Sequence, residues 1–219
     1  MYIAIEGVIG VGKTTLARLL QKSFDAELLL EVFEENPFLS NFYIDRERYG
    51  FQTQIFFLLS RYHQQHAVSD MLTTGKNLIA DYTFKKDALF ASINLIGDEL
   101  DTYLQVHDAL AEKIPLPKLI VYLQASTDVL MQRIAHRDRP YERNIEVAYI
   151  DELNQAYEKF FSDGYDGPKI LTINTNDLNF VADRDDLREV ENRIQQALEI
   201  APFQTELPLE LNLADQKKS

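Results

Sequence analysis

The chain has 219 residues, of which 46% are hydrophobic and 26% charged, a composition typical of a folded protein rather than a disordered one. Its formal net charge is −13, from 22 basic and 35 acidic residues, so its surface repels a phosphate backbone and nucleic acid is not expected as a partner. The sequence contains no cysteine, which excludes disulfides, a catalytic thiol and thiolate metal sites. No apolar run approaches the roughly 20 residues of a membrane span. The first residues read as a strand rather than a targeting peptide, so we expect a cytoplasmic protein.

Short apolar runs alternate along the chain with longer stretches of helical periodicity. The runs that predict buried parallel strands are residues 2–5, 28–32, 78–80, 119–123 and 170–173. Between them, apolar residues recur every three or four positions, as at Phe51, Ile55, Leu58, Leu59 and Tyr62. This alternation predicts one α/β domain over residues 1–200, a five-stranded parallel sheet with helices on both faces. Residues 201–219 lose the pattern, which predicts a loosely held or partner-docked tail.

A phosphate-binding motif follows the first predicted strand. Residues 7–14 match G-x-x-x-x-G-K-[ST] without a gap and open a predicted helix, the context in which this motif binds a nucleoside triphosphate. Glycines let backbone N–H groups turn toward the phosphates, and the helix N-terminus adds partial positive charge. We expect Lys13 to reach the β- and γ-phosphates and the Thr14 hydroxyl to bind Mg²⁺. The predicted nucleotide-binding residues are Gly7, Val8, Ile9, Gly10, Val11, Gly12, Lys13, Thr14 and Thr15.

Two carboxylates stand where predicted strands end. Glu31 follows the apolar residues 28–30, and Asp81 follows residues 78–80. Ligands of open α/β sheets bind at the carboxyl ends of the strands. Asp81 has the position of an acid that holds Mg²⁺ directly or through water, and a carboxylate beside the phosphates could accept a hydroxyl proton during phosphoryl transfer. The alternative for each is a helix cap or a solvated strand end.

Residues 133–143, called the arginine segment below, hold four arginines in eleven positions. Arg133 and Arg137 share a helix face at four-residue spacing, and Arg139 lies just beyond the predicted helix end. A segment that closes over a transferring phosphoryl group neutralises its charge and excludes water, so we expect an arginine-rich lid. The alternative is a solvated helix end whose arginines pair with neighbouring acids.

Several ordered blocks between residue 3 and about residue 200 carry a resemblance to a known family. They are Ile3-Ala4-Ile5-Glu6-Gly7, Glu31-Val32-Phe33-Glu34-Glu35-Asn36-Pro37-Phe38-Leu39, Phe51-Gln52, Ile79-Ala80-Asp81-Tyr82, Leu89-Phe90-Ala91 and Arg137-Asp138-Arg139-Pro140-Tyr141-Glu142. With them the chain resembles the deoxynucleoside kinases, and among these the bacterial deoxyguanosine and deoxyadenosine kinases. The resemblance implies a P-loop kinase fold, ATP as donor, Mg²⁺, and transfer of the γ-phosphate to the 5′-hydroxyl of a purine deoxynucleoside, deoxyguanosine favoured. It also implies a homodimer.

The resemblance assigns roles by position. Glu31 would be the general base for the sugar 5′-hydroxyl, and the three arginines Arg133, Arg137 and Arg139 would contact the phosphates. These residues, with Lys13, form the predicted catalytic set.

The nucleoside would be held by a second set of residues. Tyr43 and Glu142 would hydrogen-bond the 3′-hydroxyl, and the Gln52 amide would pair with the edge of the base because it can donate and accept together. Asp81 would also lie on the substrate side. A glutamine serves either purine by flipping its amide, so a deoxyadenosine or broad-specificity kinase is the alternative.

One position departs from the family pattern. Many members carry an arginine directly after the strand-end acid, where this chain has Tyr82. Lys85 or Lys86 could supply the missing charge, as a point charge rather than a planar fork. Asp87 could accept from guanine N1–H and N2–H, and the alternative is a solvated loop residue.

Two functions of other kinds are weighed against this one. A nucleoside monophosphate kinase needs a second basic site for its acceptor phosphate, and the arginine segment is already assigned to the lid. A non-catalytic nucleotide-binding subunit should have lost Lys13, Glu31 or the arginines, yet all are present.

Overall fold

The computed structural model describes residues 1–33, 35–162 and 165–200, and the predicted tail lies outside the described residues. Strands and helices alternate along the chain. They are β1 Tyr2–Glu6, α1 Lys13–Ser23, β2 Ala26–Leu29, α2 Leu39–Phe42, α3 Arg46–Thr73, β3 Asn77–Ala80, α4 Lys86–Asn94, α5 Gly97–Ala111, β4 Leu119–Gln124, α6 Thr127–Arg137, a 3₁₀ turn Pro140–Glu142, α7 Val147–Ser162, β5 Lys169–Asn174 and α8 Arg184–Ala197.

The five strands form one parallel sheet in the order β2-β3-β1-β4-β5. The central strand β1 pairs on one side with β3, where Ile3 lies opposite Ile79, and on the other with β4, where Ile3 lies opposite Leu119. The connection after β1 therefore leads to β2 and β3 on one side of this strand, and the later strands β4 and β5 lie on its other side. A crevice at the carboxyl ends of the strands is the usual ligand site at such a point.

Both faces of the sheet are covered, because successive strand residues point to opposite sides. Ile3 packs in one buried cluster with Leu16 of α1, whereas Ala4 packs in another with Val68 of α3. The predicted five-stranded parallel sheet with helices on both faces is confirmed.

Strand β2 lies earlier in the chain than predicted, at Ala26–Leu29 instead of residues 28–32. The Asp81 backbone N–H donates to the Leu29 carbonyl oxygen at 3.3 Å. The Glu31 backbone N–H then donates to the Asp81 side chain at 2.8 Å rather than to a neighbouring strand. The Asp81 side chain thus replaces the hydrogen bond that a neighbouring strand would make, so Glu31 lies outside the sheet, beside Asp81. The other four strands match their predicted bounds to within one residue at each end.

The longest helix, α3, begins at the N-cap Asp45, whose carboxylate accepts from the Arg48 backbone N–H at 3.1 Å. Its buried face mixes polar with apolar side chains, and its buried residues are Gly50, Thr53, Gln54, Leu58, Arg61, Gln65 and Val68. This face therefore does more than fill the core, because it brings polar groups to the carboxyl edge of the sheet. None of the helices in the described ranges combines the length and apolar character needed to cross a membrane.

Candidate active site

The loop between β1 and α1 has the backbone geometry that its glycines predict. A Cβ on Gly7 would lie 2.4 Å from the Leu123 carbonyl oxygen, and Gly12, the N-cap of α1, has φ +104°. Side-chain-bearing residues are excluded by contact at the first position and strained at the second. The Val8 and Val11 side chains are buried in the core, so these residues can offer only backbone groups to a ligand. The loop is thus a backbone cradle at a helix N-terminus, suited to phosphate.

Lys13 lies folded against this cradle. Its ammonium donates to the Gly7 carbonyl oxygen at 2.7 Å and to that of Val8 at 3.1 Å. Burial, together with the positive charge of Lys86, lowers the pKa of Lys13 to about 8. A phosphate entering the loop would offer this ammonium a stronger, charged acceptor.

Thr14 and Asp81 bring two oxygen ligands together beside the loop. The Thr14 hydroxyl donates to the Asp81 carboxylate at 2.5 Å, and Asp81 is buried. A hydroxyl and a carboxylate next to a phosphate site are the hard oxygen donors that Mg²⁺ takes alongside substrate phosphates. The pair therefore fits the predicted ion. The side chain of Thr15, the last residue of the predicted set, is exposed.

A cleft opens at the carboxyl edge of the sheet, between the phosphate loop, α3 and the arginine segment. Most of the residues predicted for the site line it: Ile9, Gly10, Lys13, Thr14, Glu31, Tyr43, Asp81, Arg137, Arg139 and Glu142. Its remaining lining residues are Phe33, Leu39, Gln54, Phe57, Arg61, Lys86, Phe90 and Tyr141. The cleft has an apolar wall and a set of convergent charged groups, the usual make-up of a small-molecule site.

Glu31 is held by two cations. One carboxylate oxygen accepts from Arg61, with the Nε at 3.1 Å, and the other accepts from the Lys86 ammonium at 2.6 Å. Burial acts to raise the pKa of Glu31, but the charges of Arg61 and Lys86 outweigh it and hold the pKa well below its usual range. Glu31 is therefore ionised and able to accept a hydrogen bond from a hydroxyl group.

Arg61 also joins Glu31 to Asp87, since another of its guanidinium nitrogens donates to one Asp87 carboxylate oxygen. Asp87 lies in the first turn of α4, is fully buried and does not line the cleft itself. The alternative of a solvated loop residue is therefore wrong. The second carboxylate oxygen of Asp87 has no hydrogen-bond partner among the described residues, which leaves a strong buried acceptor next to the arginine.

The structure does not bring Gln52 to the cleft. Its side chain is exposed, whereas Gln54, two residues further along α3, is 3% exposed and lines the cleft. Because a helix turns about 100° per residue, a two-residue shift moves a side chain to nearly the opposite face. The amide that the cleft contains is thus that of Gln54, and the geometry does not support the predicted contact of Gln52 with the base. Arg61 lies two turns further on the same buried face, and it is the residue from which the rotational phase of α3 could have been predicted.

The arginine segment divides its side chains between two places. Arg137 binds Glu142 with two hydrogen bonds of 2.5 and 2.6 Å, and Arg139 lies 3.8 Å from the same carboxylate. The Arg139 guanidinium also lies 4.2 Å from the centre of the Phe33 ring. Arg133 instead donates to the Thr175 carbonyl oxygen at 2.6 Å and does not line the cleft.

Lys85 and Lys86, both candidates for the missing positive charge, point in different directions. Lys86 is buried and lines the cleft, with its ammonium 5.6 Å from the centre of the Tyr82 ring. Lys85 turns away and donates to the Asp166 carbonyl oxygen at 3.0 Å. Tyr82 is fully buried, does not line the cleft and donates to the Gln64 amide oxygen at 2.9 Å, so it contributes no charge to the site.

Comparison with known proteins places the site in a family. The family model of the deoxynucleoside kinases matches residues 3–199. The chain belongs to the deoxynucleoside kinase family. This confirms the resemblance and the P-loop kinase fold that it implies, and it makes the chain an ATP-dependent phosphotransferase.

Individual relatives of this deoxynucleoside kinase are named for both purines. The chain is 35% identical over 201 residues to the deoxyguanosine kinase of Bacillus subtilis (strain 168), covering 90% of this chain and 97% of that protein. It is 34% identical over 167 residues to the deoxyadenosine kinase of Dictyostelium discoideum, covering 74% and 67%. The solved structure of deoxyadenosine kinase from M. mycoides with bound dATP is 27% identical and has a TM-score of 0.77. The match covers 89% of this chain and 99% of that one.

Proposed function

We propose that this kinase transfers the γ-phosphate of ATP to the 5′-hydroxyl of a purine deoxynucleoside, with deoxyguanosine preferred. The observation that carries the proposal is the position of Glu31, an ionised carboxylate in a cleft that also contains the phosphate-loop lysine. A kinase that phosphorylates an alcohol requires a proton acceptor of this kind beside the hydroxyl group that receives the phosphate.

The donor side of the proposal uses the phosphate loop. Its backbone N–H groups and Lys13 would hold the phosphates of ATP, and Thr14 and Asp81 would hold Mg²⁺. When bound, Mg²⁺ supplies positive charge against the phosphates. Arg137 and Arg139 lie across the cleft, where a lid movement would bring them onto the transferring group.

The transfer step assigns the proton to Glu31. The 5′-oxygen forms a bond to the γ-phosphorus while the bond from that phosphorus to the β,γ-bridging oxygen breaks, and ADP leaves with the electron pair. The 5′-hydroxyl proton passes to the Glu31 carboxylate. Arg61 and Lys86 fix the orientation of this carboxylate by holding one oxygen each.

The sugar would lie against Tyr43 and the Arg137–Glu142 pair. Tyr43 and Glu142 both line the cleft, and Glu142 is buried in the bidentate grip of Arg137. A carboxylate fixed in this way can accept a hydrogen bond from the 3′-hydroxyl, which favours a deoxyribose that has this group.

The base would lie toward Gln54, Arg61 and Asp87. Gln54 lines the cleft and offers an amide to the base edge, whereas the unpartnered Asp87 oxygen is buried beside Arg61 and would accept from N–H donors only once a bound base reaches it. Guanine presents two such donors side by side, at N1 and N2, which supports deoxyguanosine. Relatives named deoxyadenosine kinase support the alternative of a deoxyadenosine or broad-specificity kinase.

Phosphate transfer from labelled ATP to a panel of acceptors tests the proposal. The panel contains deoxyguanosine, deoxyadenosine, deoxycytidine, thymidine and their monophosphates. Fastest transfer to deoxyguanosine is expected, and fastest transfer to deoxyadenosine would keep the mechanism and reject the base assignment. Transfer to monophosphates alone, or to no acceptor, would reject the proposal. The homodimer stays part of the same proposal, and sedimentation at assay concentration measures it.

A further inference from the structure

Lys86 places a buried ammonium group in the cleft. Within the described residues, this ammonium has no hydrogen-bond partner from the phosphate loop or from the arginine segment. Its side chain is 5% exposed and comes from the first turn of α4. The ammonium donates to Glu31 at 2.6 Å and lies 5.6 Å and 5.8 Å from the ring centres of Tyr82 and Phe90. Rings at these distances attract a cation, so one side of the ammonium is fixed by aromatic faces and the other by a carboxylate.

The position of Lys86 relative to the reaction follows from its contact with Glu31. A 5′-hydroxyl that gives its proton to Glu31 must be hydrogen-bonded to that carboxylate. Lys86 is bonded to the same carboxylate, so its ammonium would lie within two hydrogen-bond lengths, about 6 Å, of the 5′-oxygen. The group transferred to that oxygen comes from the opposite side, where Lys13 lies against the phosphate loop.

The two lysines act on the same region of the cleft from different elements. The charge of Lys86 contributes to the lowered pKa of Lys13, which means that the two ammonium groups are electrostatically close. The repulsion between two close cations is offset by nearby anions, and Glu31 and Asp81 already act on Lys13 in this sense. A phosphoryl group moving from the loop to the 5′-oxygen would be a further anion between the two lysines.

We propose that Lys86 is a second phosphoryl-directed cation, which stabilises the transferring group from the acceptor side while Lys13 does so from the donor side. This inference rests on the proposed function. In the transfer step described above, Lys86 keeps all its protons and supplies charge and position alone. The buried ring of Tyr82, 5.6 Å from the ammonium, helps to hold Lys86 in this position.

The test compares three variants under one assay. K86Q removes the charge and keeps a hydrogen-bond donor for Glu31, K86R keeps the charge, and K85Q is the matched control on the neighbouring residue, which faces away from the cleft. With the best nucleoside of the panel, K86Q is expected to lower kcat by about 100-fold while the nucleoside KM changes by less than about threefold. K86R is expected to recover part of kcat, and K85Q to match the wild type.

An equilibrium measurement separates charge stabilisation from a structural role. Calorimetric titration of the nucleoside and of its 5′-monophosphate gives the gain in affinity due to the phosphate. K86Q is expected to reduce this gain and to leave nucleoside affinity unchanged.

Three results would overturn the inference. One is a K86Q kcat within about threefold of the wild type. Another is an equal loss in K86Q and K86R together with a lowered melting temperature, because this would make Lys86 structural. The third is a wild-type enzyme without nucleoside turnover, which would refute the proposed function as well, whereas the first two leave that function standing.

Discussion

The Thr14 hydroxyl and the Asp81 carboxylate lie 2.5 Å apart although their positions in the chain differ by 67. The contact joins the phosphate loop to the end of β3. The other Asp81 oxygen accepts from the Glu31 backbone N–H, so one carboxylate fixes the spacing between the donor loop and the proposed base. Donor and acceptor chemistry are thereby held at one edge of the sheet.

Glu31→Gln tests the base assignment directly. The substitution keeps the shape of the side chain, but an amide cannot take the 5′-hydroxyl proton, so kcat is expected to fall by about 10²- to 10⁴-fold. ATP binding should persist because Glu31 makes no contact with the phosphate loop in the described hydrogen bonds. Single-turnover transfer and a separate ATP titration measure the two effects. Near-normal turnover would contradict the base assignment.

Gln54→Ala and Gln52→Ala form a matched pair on one helix. Gln54 is buried at the cleft and Gln52 is exposed. Loss of an amide that pairs with the base is expected to raise the nucleoside KM about tenfold or more in Q54A, while Q52A stays at the wild-type value. Steady-state kinetics at saturating ATP give both constants. The opposite pattern would restore Gln52 as the base contact.

Asp87→Asn addresses the choice between purines. The substitution keeps the volume but changes a buried acceptor into a group that also donates. The ratio of kcat/KM for deoxyguanosine to that for deoxyadenosine is expected to fall about tenfold. Asp87 also pairs with Arg61, so melting curves must accompany the kinetics. An unchanged ratio in a folded variant would remove Asp87 from base selection.

Arg137→Gln and Arg143→Gln separate the cleft from the surface. Arg137 lines the cleft and fixes Glu142, whereas Arg143 forms an exposed pair with Asp138. R137Q is expected to lower kcat/KM by about 100-fold. Surface pairs contribute only about 0–1 kcal/mol, so R143Q should retain activity and stability. Equal effects of the two variants on turnover would argue against a phosphate role for Arg137.

Because Tyr82 is buried, we expect the free energy of unfolding to depend on pH in the alkaline range. Burial raises the pKa of Tyr82 well above its usual value, so the folded protein keeps a proton that the unfolded chain loses above about pH 10. The free energy of unfolding therefore falls as pH rises beyond that point. Y82F should flatten this decline, although it loses the bond to Gln64 and about 1 kcal/mol at neutral pH. Thermal unfolding between about pH 7 and 11 checks the slope, and an equally steep decline in Y82F would contradict the prediction.

The groups that could be predicted from the sequence are those defined by local order. The phosphate loop, Thr14 and Asp81 each follow directly from a strand that its apolar run identifies, and Glu31 lies close to Asp81 even though β2 ends earlier than predicted. The positions of these residues are set by the elements next to them in the chain more than by the way the helices pack.

The groups that were missed depend on the rotational phase of helices. The apolar spacing of α3 included Leu59, which is 44% exposed, whereas the buried face carries Gln54 and Arg61. Polar residues on a buried face do not appear in a hydrophobic pattern. Likewise, nothing in the order of Lys85 and Lys86 shows which of them turns inward at the start of α4.

The double hold on Glu31 has a consequence for the resting enzyme. With one carboxylate oxygen bound to Arg61 and the other to Lys86, the carboxylate cannot turn without breaking an ion pair, so its orientation is set before any ligand enters the cleft. A ligand that donates a hydrogen bond to Glu31 therefore meets an acceptor that needs no rearrangement. The ion pairs thus lower the conformational entropy that binding would otherwise cost at this carboxylate.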